Sequence, residues 1–294
     1  MFGDSGQLLV DGIAEGSRIA LVAVGFSLIY GVTKTLHLAH GAILTLGAYL
    51  LWWCTASLSI PLALAIVIAG VAVAAAGMAN EVLIYRRVRA SNEGGLILVV
   101  AALGTGIVLQ NLLGVAFGFD TKSVRESTIG QAAEGLRFLG VVVPVTDVIS
   151  VTVSLALFAV LIAYLRWSKV GRQVRAVQTN PALARVVGVN TPRVYAYTFA
   201  LGSVVSLPAA FFIGLNSGLS TTIGFDAMLL GFVVAFAGGI GSLTGTLLAS
   251  FGVGIVQGLS LLVIDSNWQS TFTFGLLLIL IIVRPQGLLG KAVI

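Results

Sequence analysis

Long uninterrupted stretches of apolar residues dominate this chain and constrain its fold more than any other feature. Read between charged or turn-rich breaks, they lie at 8–33, 36–57, 61–85, 96–119, 144–165, 192–215, 227–264 and 268–283. A helix needs about 20 apolar residues to cross the hydrocarbon core of a bilayer, so most of these stretches are long enough to cross it once. Charged residues make up only 9% of the chain, far below the roughly 25% of a soluble domain. The sequence therefore predicts an all-α, polytopic bundle of membrane helices.

The stretch 227–264 is about twice as long as one crossing requires, and a glycine-rich segment interrupts it. Gly238, Gly239 and Gly241 lie there beside Ser242, a composition typical of a broken helix or a re-entrant turn. Such a turn is a candidate gate. Ordinary close packing of helices is the alternative, because small residues also let helices approach in lipid. If the stretch 227–264 is divided at these glycines, the sequence predicts roughly eight or nine transmembrane segments, with at least one broken or re-entrant helix.

The charged residues sort by sign onto the two ends of the bundle. One end receives most of the cations, namely Lys34, Arg86, Arg87, Arg89, Arg166, Lys169, Arg172, Arg175, Arg185, Arg193, Arg284 and Lys291. By the positive-inside rule this end is cytoplasmic, which predicts an external N-terminus and a cytoplasmic C-terminus. The other end receives most of the acids. Near it, Glu15 and Arg18 are three residues apart on one predicted helix and are placed to pair.

Two hydrophilic segments interrupt the bundle, which we expect to form a single domain over 1–294. The external segment, 120–143, mixes both signs of charge and is either a solvated loop or a docking surface for a soluble partner. The cytoplasmic segment, 166–193, carries six of the cations just named and no acid. Because each cation at the bilayer centre costs about 2.5–3.5 kcal/mol, this segment must lie in water.

A short helix is predicted inside the cytoplasmic segment. Asn180 is a good N-cap, Pro181 suits the first helical position, and Gly188 provides a left-handed stop. These signals bound a two-turn helix over 181–187.

The predicted short helix presents an apolar stripe. Leu183, Val186 and Val187 follow the i, i+3, i+4 spacing that places side chains on one helix face. Such a stripe outside the membrane either docks in the groove of a partner or packs on loops of the same protein. Thr191 and Pro192 repeat the capping pattern and begin the next membrane helix.

His37 and His40 are the two histidines of the chain, and their spacing allows one helix face to carry both. We expect no metal site, because no third His, Cys or nearby carboxylate completes one. A histidine within the membrane usually faces the bundle interior or water. His40 and the adjacent Gly41 are therefore candidates for a translocation pathway, with simple packing as the alternative.

Several motifs are missing from the sequence. There is no G-x-x-x-x-G-K-S/T motif to hold ATP and no G-x-S-x-G or Ser/His/Asp set. We therefore expect neither ATP hydrolysis nor another enzymatic activity from this chain. Embedded acids are also few for a proton relay, which disfavours a self-sufficient secondary transporter or channel.

An ordered set of motifs extends over nearly the whole chain. They are GFSLIYG at 25–31, AHG at 39–41, GR at 171–172, RA at 175–176, NP at 180–181, GVN at 188–190, GGIGS at 238–242 and RPQGL at 284–288. Together they resemble the permeases of branched-chain amino acid ABC importers, in particular the first of the two paired permease subunits. One departure is His37-Leu38, where the family usually has Asn-Phe.

The resemblance implies roles for the segments already described. The cytoplasmic segment resembles the loop that couples the permease to an ATPase, and the implied coupling residues are Asn180, Pro181, Leu183, Ala184, Val186, Val187 and Gly188. The candidates for the translocation pathway or gate are His40, Gly41, Gly238, Gly239 and Gly241.

The resemblance also implies an assembly in the bacterial inner membrane. Its expected members are a second permease subunit, identical or homologous to this one, two ATPase subunits and an external solute-binding protein. ATP and magnesium would be bound by the ATPases, while this chain binds lipid but neither a cofactor nor nucleic acid. Branched-chain amino acids are the expected substrates, and urea, short amides and aromatic acids are the alternatives within the same family.

Overall fold

A computed structural model describes residues 2–91, 95–123, 135–138, 141–284 and 286–289 of the chain. The helices are α1 (Phe2–Thr33), α2 (His40–Trp52), α3 (Leu62–Asn80), α4 (Arg86–Ala90), α5 (Gly95–Phe117), α6 (Val145–Trp167), α7 (Lys169–Thr179), α8 (Pro181–Val186), α9 (Thr191–Ser217), α10 (Ile223–Gly238), α11 (Leu243–Ser260) and α12 (Gln269–Val283). Two short strands, β1 (Leu136–Phe138) and β2 (Val141–Val143), pair antiparallel, and a 3₁₀ turn (Ser266–Trp268) precedes α12.

Seven helical stretches among the described residues are long and apolar enough to cross a membrane, and α10 is a shorter apolar helix. The short α2 continues through a π-helical turn, Trp53–Ser57. The prediction of an all-α polytopic bundle is confirmed, and the chain is a multi-pass membrane protein. A second π-helical turn, Glu81–Tyr85, joins α3 to α4.

The first helix forms the centre of the bundle. In its most apolar window 89% of the residues are buried, whereas the figure is 11% for both α5 and α12. The outward side chains of α5 include Leu112 and Val115, which suit a lipid environment. Burial therefore separates internal helices, α1 and to a lesser degree α9 at 67%, from outer helices such as α5 and α12 that face lipid.

Glycines bring α1 and α11 into close contact. A β-carbon added at Gly12 would lie 2.7 Å from the carbonyl oxygen of Gly254, and one added at Gly16 would lie 2.9 Å from the α-carbon of Phe251. The backbones approach this closely because no side chain separates them. These glycines therefore serve the packing of the two helices.

The hydrophilic segment 120–143 contains a hairpin that no sequence pattern predicted. Its described part includes the β1–β2 hairpin, while 124–134 and 139–140 lie outside the described residues. The run of three valines in β2 favours a strand, because β-branched residues fit the pleated backbone. The side chain of Gln7 accepts a hydrogen bond from the Val142 amide and donates one to its carbonyl, each at 2.9 Å. The hairpin is thereby fixed to the start of α1.

Candidate functional site

The short helix predicted within 166–193 is present as α8. The Asn180 side-chain oxygen accepts hydrogen bonds from the amides of Ala182 and Leu183, both at 3.0 Å, and Pro181 stands at the first helical position. Gly188 adopts a φ of 84°, the left-handed conformation that favours glycine. The helix is one residue shorter than predicted, because Val187 is its C-cap rather than its last residue.

The apolar stripe of α8 is uncovered. Leu183, Val186 and Val187 have exposed fractions of 64%, 83% and 76%, so the alternative in which the stripe packs on loops of this chain is wrong for the described residues. Ala184, which was included among the coupling residues, is only 3% exposed and packs in the cluster that contains Val174. Ala184 therefore holds α8 against this chain, and its three larger neighbours form the available surface.

The helix α7 was not predicted, although its signals are present in the sequence. Ser168 is its N-cap and accepts a hydrogen bond from the Gly171 amide at 2.8 Å. Val174 and Val177 lie three residues apart and are both buried. Only Asn180, in an extended conformation, separates this amphipathic helix from α8, and α7 and α8 together form a helical arm outside the membrane helices.

The capping signal before α9 was assigned to the wrong residue. The N-cap is Asn190, whose side-chain oxygen accepts a hydrogen bond from the Arg193 amide at 3.1 Å. Thr191 and Pro192 instead occupy the first two helical positions. Asparagine is the better cap because its short side chain reaches the free amides of the first turn.

The glycine-rich segment breaks the long apolar run, as predicted. Gly238 ends α10, Gly239 and Gly241 have φ values of 105° and 78°, and Ser242 caps α11 by accepting from the Gly245 amide at 3.2 Å. A β-carbon at Gly238 would lie 2.5 Å from the carbonyl oxygen of Gly245, so the two helices meet closely behind the turn. The conformation of this turn requires glycine at both positive φ positions.

Two segments distant in sequence hold this turn. Gln178 of α7 donates a hydrogen bond to the Gly241 carbonyl at 3.2 Å. The amides of Leu288 and Leu289 donate to the carbonyls of Ala237 and Gly238 at 2.8 and 3.1 Å. The turn between α10 and α11 is thus connected both to the helical arm and to the segment after α12.

The two histidines lie in the core rather than on one helix face. Their spacing would allow one helix face to carry both, but His37 precedes α2 and lies outside the helix. Both side chains are fully buried; His37 Nδ1 is 2.9 Å from the Tyr85 hydroxyl, and His40 Nε2 is 3.1 Å from the Ser206 hydroxyl. Whether His40 belongs to a translocation pathway stays a prediction.

Gly41 and Gly224 bring α2 and α10 together. A β-carbon at Gly41 would lie 2.5 Å from the Gly224 carbonyl oxygen. The hydroxyl of Thr45 accepts a hydrogen bond from the Gly224 amide at 3.1 Å. The geometry gives Gly41 a packing function, and its predicted role in the pathway stays a prediction.

A cavity of about 930 Å³ opens at the end of the bundle opposite to α8. It lies among the beginnings of α1, α6, α10 and α12 and the ends of α9 and α11. Gly31, at the other end of α1, faces Gln178 of the helical arm. The ionisable residues that line the cavity are Asp11, Glu15, Arg18, Asp147 and Asp226.

Arg18 is the cation in this set, and it is almost entirely buried. It lies 3.4 Å from Glu15, as the sequence predicts, and 2.9 Å from Asp147 of α6, a partner 129 residues away that the sequence did not reveal. This ion pair fastens α6 to α1 at the edge of the cavity.

Replacing Arg18 with Leu is expected to destabilise the fold strongly. The side chain of Asp147 is only 12% exposed, and breaking a buried ion pair from one side costs about 3–5 kcal/mol. Thermal unfolding of the purified protein in detergent should show a clearly lower midpoint. The double variant Arg18→Leu/Asp147→Asn should recover much of the loss, whereas an unchanged midpoint for the single variant would contradict this role.

A second ion pair joins α3 and α4 at the end of the bundle that carries α8. The fully buried Glu81 accepts a hydrogen bond from Arg89, whose guanidinium also lies 4.8 Å from the ring centre of Tyr195. Arg86 donates to the Pro192 carbonyl at 3.2 Å. These contacts fix the first turn of α9 to α4.

The sequence matches a known family over most of its length. The profile of the family described as "Branched-chain amino acid transport system / permease component" matches residues 8–282. The chain belongs to this permease family. Two related proteins and one solved structure extend the comparison, and the resemblance inferred from the motifs is confirmed.

The permease is similar to two curated proteins along almost its entire length. It is 31% identical to LivH of Escherichia coli, a high-affinity branched-chain amino acid transport system permease protein, over 97% of this chain and 95% of LivH. It is 28% identical to the corresponding protein BraD of Pseudomonas aeruginosa, with the same coverage. The structure of PsaBC from Streptococcus pneumoniae in complex with Fab aligns with a TM-score of 0.51 and 14% identity, over 95% of the permease and 92% of that chain. This last likeness concerns the fold alone.

Proposed function

We propose that this permease is the membrane subunit of an ATP-driven importer of branched-chain amino acids in the bacterial inner membrane. The observation that carries the proposal is the family match over residues 8–282, together with full-length similarity to LivH and BraD. Both relatives are described as parts of high-affinity branched-chain amino acid transport systems. The geometry supports the assignment because it supplies a contact surface at one end of the bundle and a cavity at the other.

The contact surface is the stripe of Leu183, Val186 and Val187. A short, capped helix that exposes large apolar side chains is suited to a hydrophobic groove in a partner. In this proposal the groove belongs to an ATPase subunit, and two such subunits bind ATP and magnesium. Asn180, Pro181 and Gly188 fix both ends of the helix, so a push on the stripe moves the helix as a unit.

The push is transmitted through contacts that join the helical arm to the membrane helices. Gln178 at the end of α7 donates to Gly241 in the turn between α10 and α11. Arg86 and Arg89 connect the beginning of α9 to α4. Movement of α8 therefore acts on both α9 and the glycine turn, which is the kind of coupling that alternating access requires.

The orientation follows from charge. The helical arm carries Lys169, Arg172, Arg175 and Arg185 and lies in the cytoplasm by the positive-inside rule, so the cavity faces outward. The N-terminus is then external and the C-terminus cytoplasmic. A second permease subunit completes the passage, and an external solute-binding protein delivers substrate to the cavity end.

Uptake by the assembled transporter tests this function. Cells that lack this permease gene should lose ATP-dependent uptake of radiolabelled leucine, isoleucine and valine and regain it when the gene is restored. Uptake of urea, measured in parallel, should not depend on the gene. Transport of leucine by the purified chain alone in liposomes, driven by an ion gradient, would instead identify a secondary transporter.

A further inference from the structure

The outer cavity has the size and polarity of a ligand site. Its volume of about 930 Å³ lies within the range of roughly 300–1,000 Å³ that is common for small-molecule pockets. Apolar side chains of α1, α9, α10 and α12 line it together with polar groups. This combination suits a small molecule with a charged head and an apolar side chain.

An unpaired carboxylate stands in this cavity. Asp226, in the first turn of α10, is exposed to the cavity and makes no ion pair or side-chain hydrogen bond with any other described residue. The other lining acids differ, because Glu15 and Asp147 pair with Arg18, and Asp11 accepts a hydrogen bond from Gln7 at 2.9 Å. Asp226 is therefore the lining carboxylate that has no partner among the described residues.

The charged side chains that line the cavity favour a ligand with a positively charged group. The lining residues include four carboxylates, Asp11, Glu15, Asp147 and Asp226, and one cation, Arg18. An excess of negative charge in a partly enclosed site attracts a positively charged group and disfavours an anion. An ammonium group has three donors and no acceptor, which suits a carboxylate.

We propose that this cavity binds the amino-acid substrate on its way through the permease, with its ammonium group at the Asp226 carboxylate. The apolar lining meets the substrate side chain. This inference rests on the proposed function. It adds one residue, Asp226, that distinguishes ligands with an ammonium group from ligands without one. Monocarboxylates of the same shape, which lack that group, are excluded.

The first test is uptake by the complete transporter in cells. Asp226→Asn should lower leucine uptake at saturating leucine by about tenfold or more, because a charge-assisted hydrogen bond is lost, and Asp226→Glu should restore much of it. The matched control is Asp265→Asn, which removes an exposed acid outside the cavity and should behave as wild type. Equal uptake by the Asp226→Asn and Asp265→Asn transporters would overturn the site while leaving the proposed function intact. Absence of leucine uptake by the wild-type transporter would overturn both.

The second test asks which chemical group the cavity recognises. In a Cys54→Ala background, a cysteine at Ser217, an exposed lining position, is labelled with a membrane-impermeant maleimide in the purified complex. Leucine should slow this labelling, and 4-methylpentanoate, which has the same carbon skeleton without the ammonium group, should not. The protection by leucine should disappear in Asp226→Asn. Equal protection by both compounds, or protection that persists without Asp226, would overturn the assignment.

Discussion

Replacing Val186 with Asp is expected to abolish ATP-dependent uptake while the permease remains folded and in the membrane. Val186 is 83% exposed, so the substitution changes the stability of the isolated chain little. In the proposed groove, by contrast, the carboxylate would be buried without a partner, which costs about 3–5 kcal/mol. Binding of the ATPase should weaken by on the order of a hundredfold or more. Copurification of the ATPase with tagged permease and uptake of labelled leucine measure the two losses.

Gln173→Asp is the matched control for this variant. Gln173 is exposed on α7, so the substitution introduces the same acidic side chain on the same helical arm but away from the stripe. It should leave both copurification and uptake close to wild type. If Val186→Asp also retained both, α8 would not be the contact with the ATPase. If Gln173→Asp abolished both, added charge on the arm would explain the result instead of the stripe.

Replacing Gly254 with Val is expected to prevent the bundle from assembling. A β-carbon at Gly254 would collide with the Gly12 carbonyl oxygen and with the backbone of Gly16, and no flexible side chain is available there to move aside. The contact between α1 and α11 would have to open along its length. Overpacking of a core costs about 1–3 kcal/mol and sometimes more, and we expect a value above that range because backbone meets backbone. The amount of monodisperse protein recovered in mild detergent measures the effect.

Gly252→Val provides the control on the same helix. A β-carbon at Gly252 meets no heavy atom within 4 Å, so valine there points into open space. Both variants carry the same β-branched residue in the middle of α11, and their intrinsic effects on helix formation are therefore alike. Gly252→Val should be recovered like wild type. Similar recovery of the two variants would show that the close approach of α1 and α11 is not required.

Features encoded locally could be predicted from the sequence. The apolar runs give the membrane helices because crossing a bilayer demands length and hydrophobicity together. Asn180 and Pro181 mark the beginning of α8 and Gly188 marks its end. These signals are local because a capping residue acts on the adjacent turn of the helix. The break at Gly238–Gly241 was recognisable for a similar reason, since glycine permits the positive φ values that the turn requires.

The cavity beside Asp226 depends on contacts that no local pattern reveals. Arg18 meets Asp147 across 129 residues, and Asp226 and Gln257 reach the same space from two further helices. The sequence identified Glu15 as a partner of Arg18 because that spacing is local. The π-helical turn that buries Glu81 was also missed, since one extra residue per turn leaves little trace in a hydrophobic pattern.

The bonds from Leu288 and Leu289 to the end of α10 also constrain the order of biosynthesis. These bonds go to the carbonyls of Ala237 and Gly238. The two carbonyls leave the ribosome before α11 and α12 are synthesised. Until the last of these segments emerges, the turn between α10 and α11 lacks two of its hydrogen bonds. This end of the permease can therefore mature only after α11 and α12 have been synthesised.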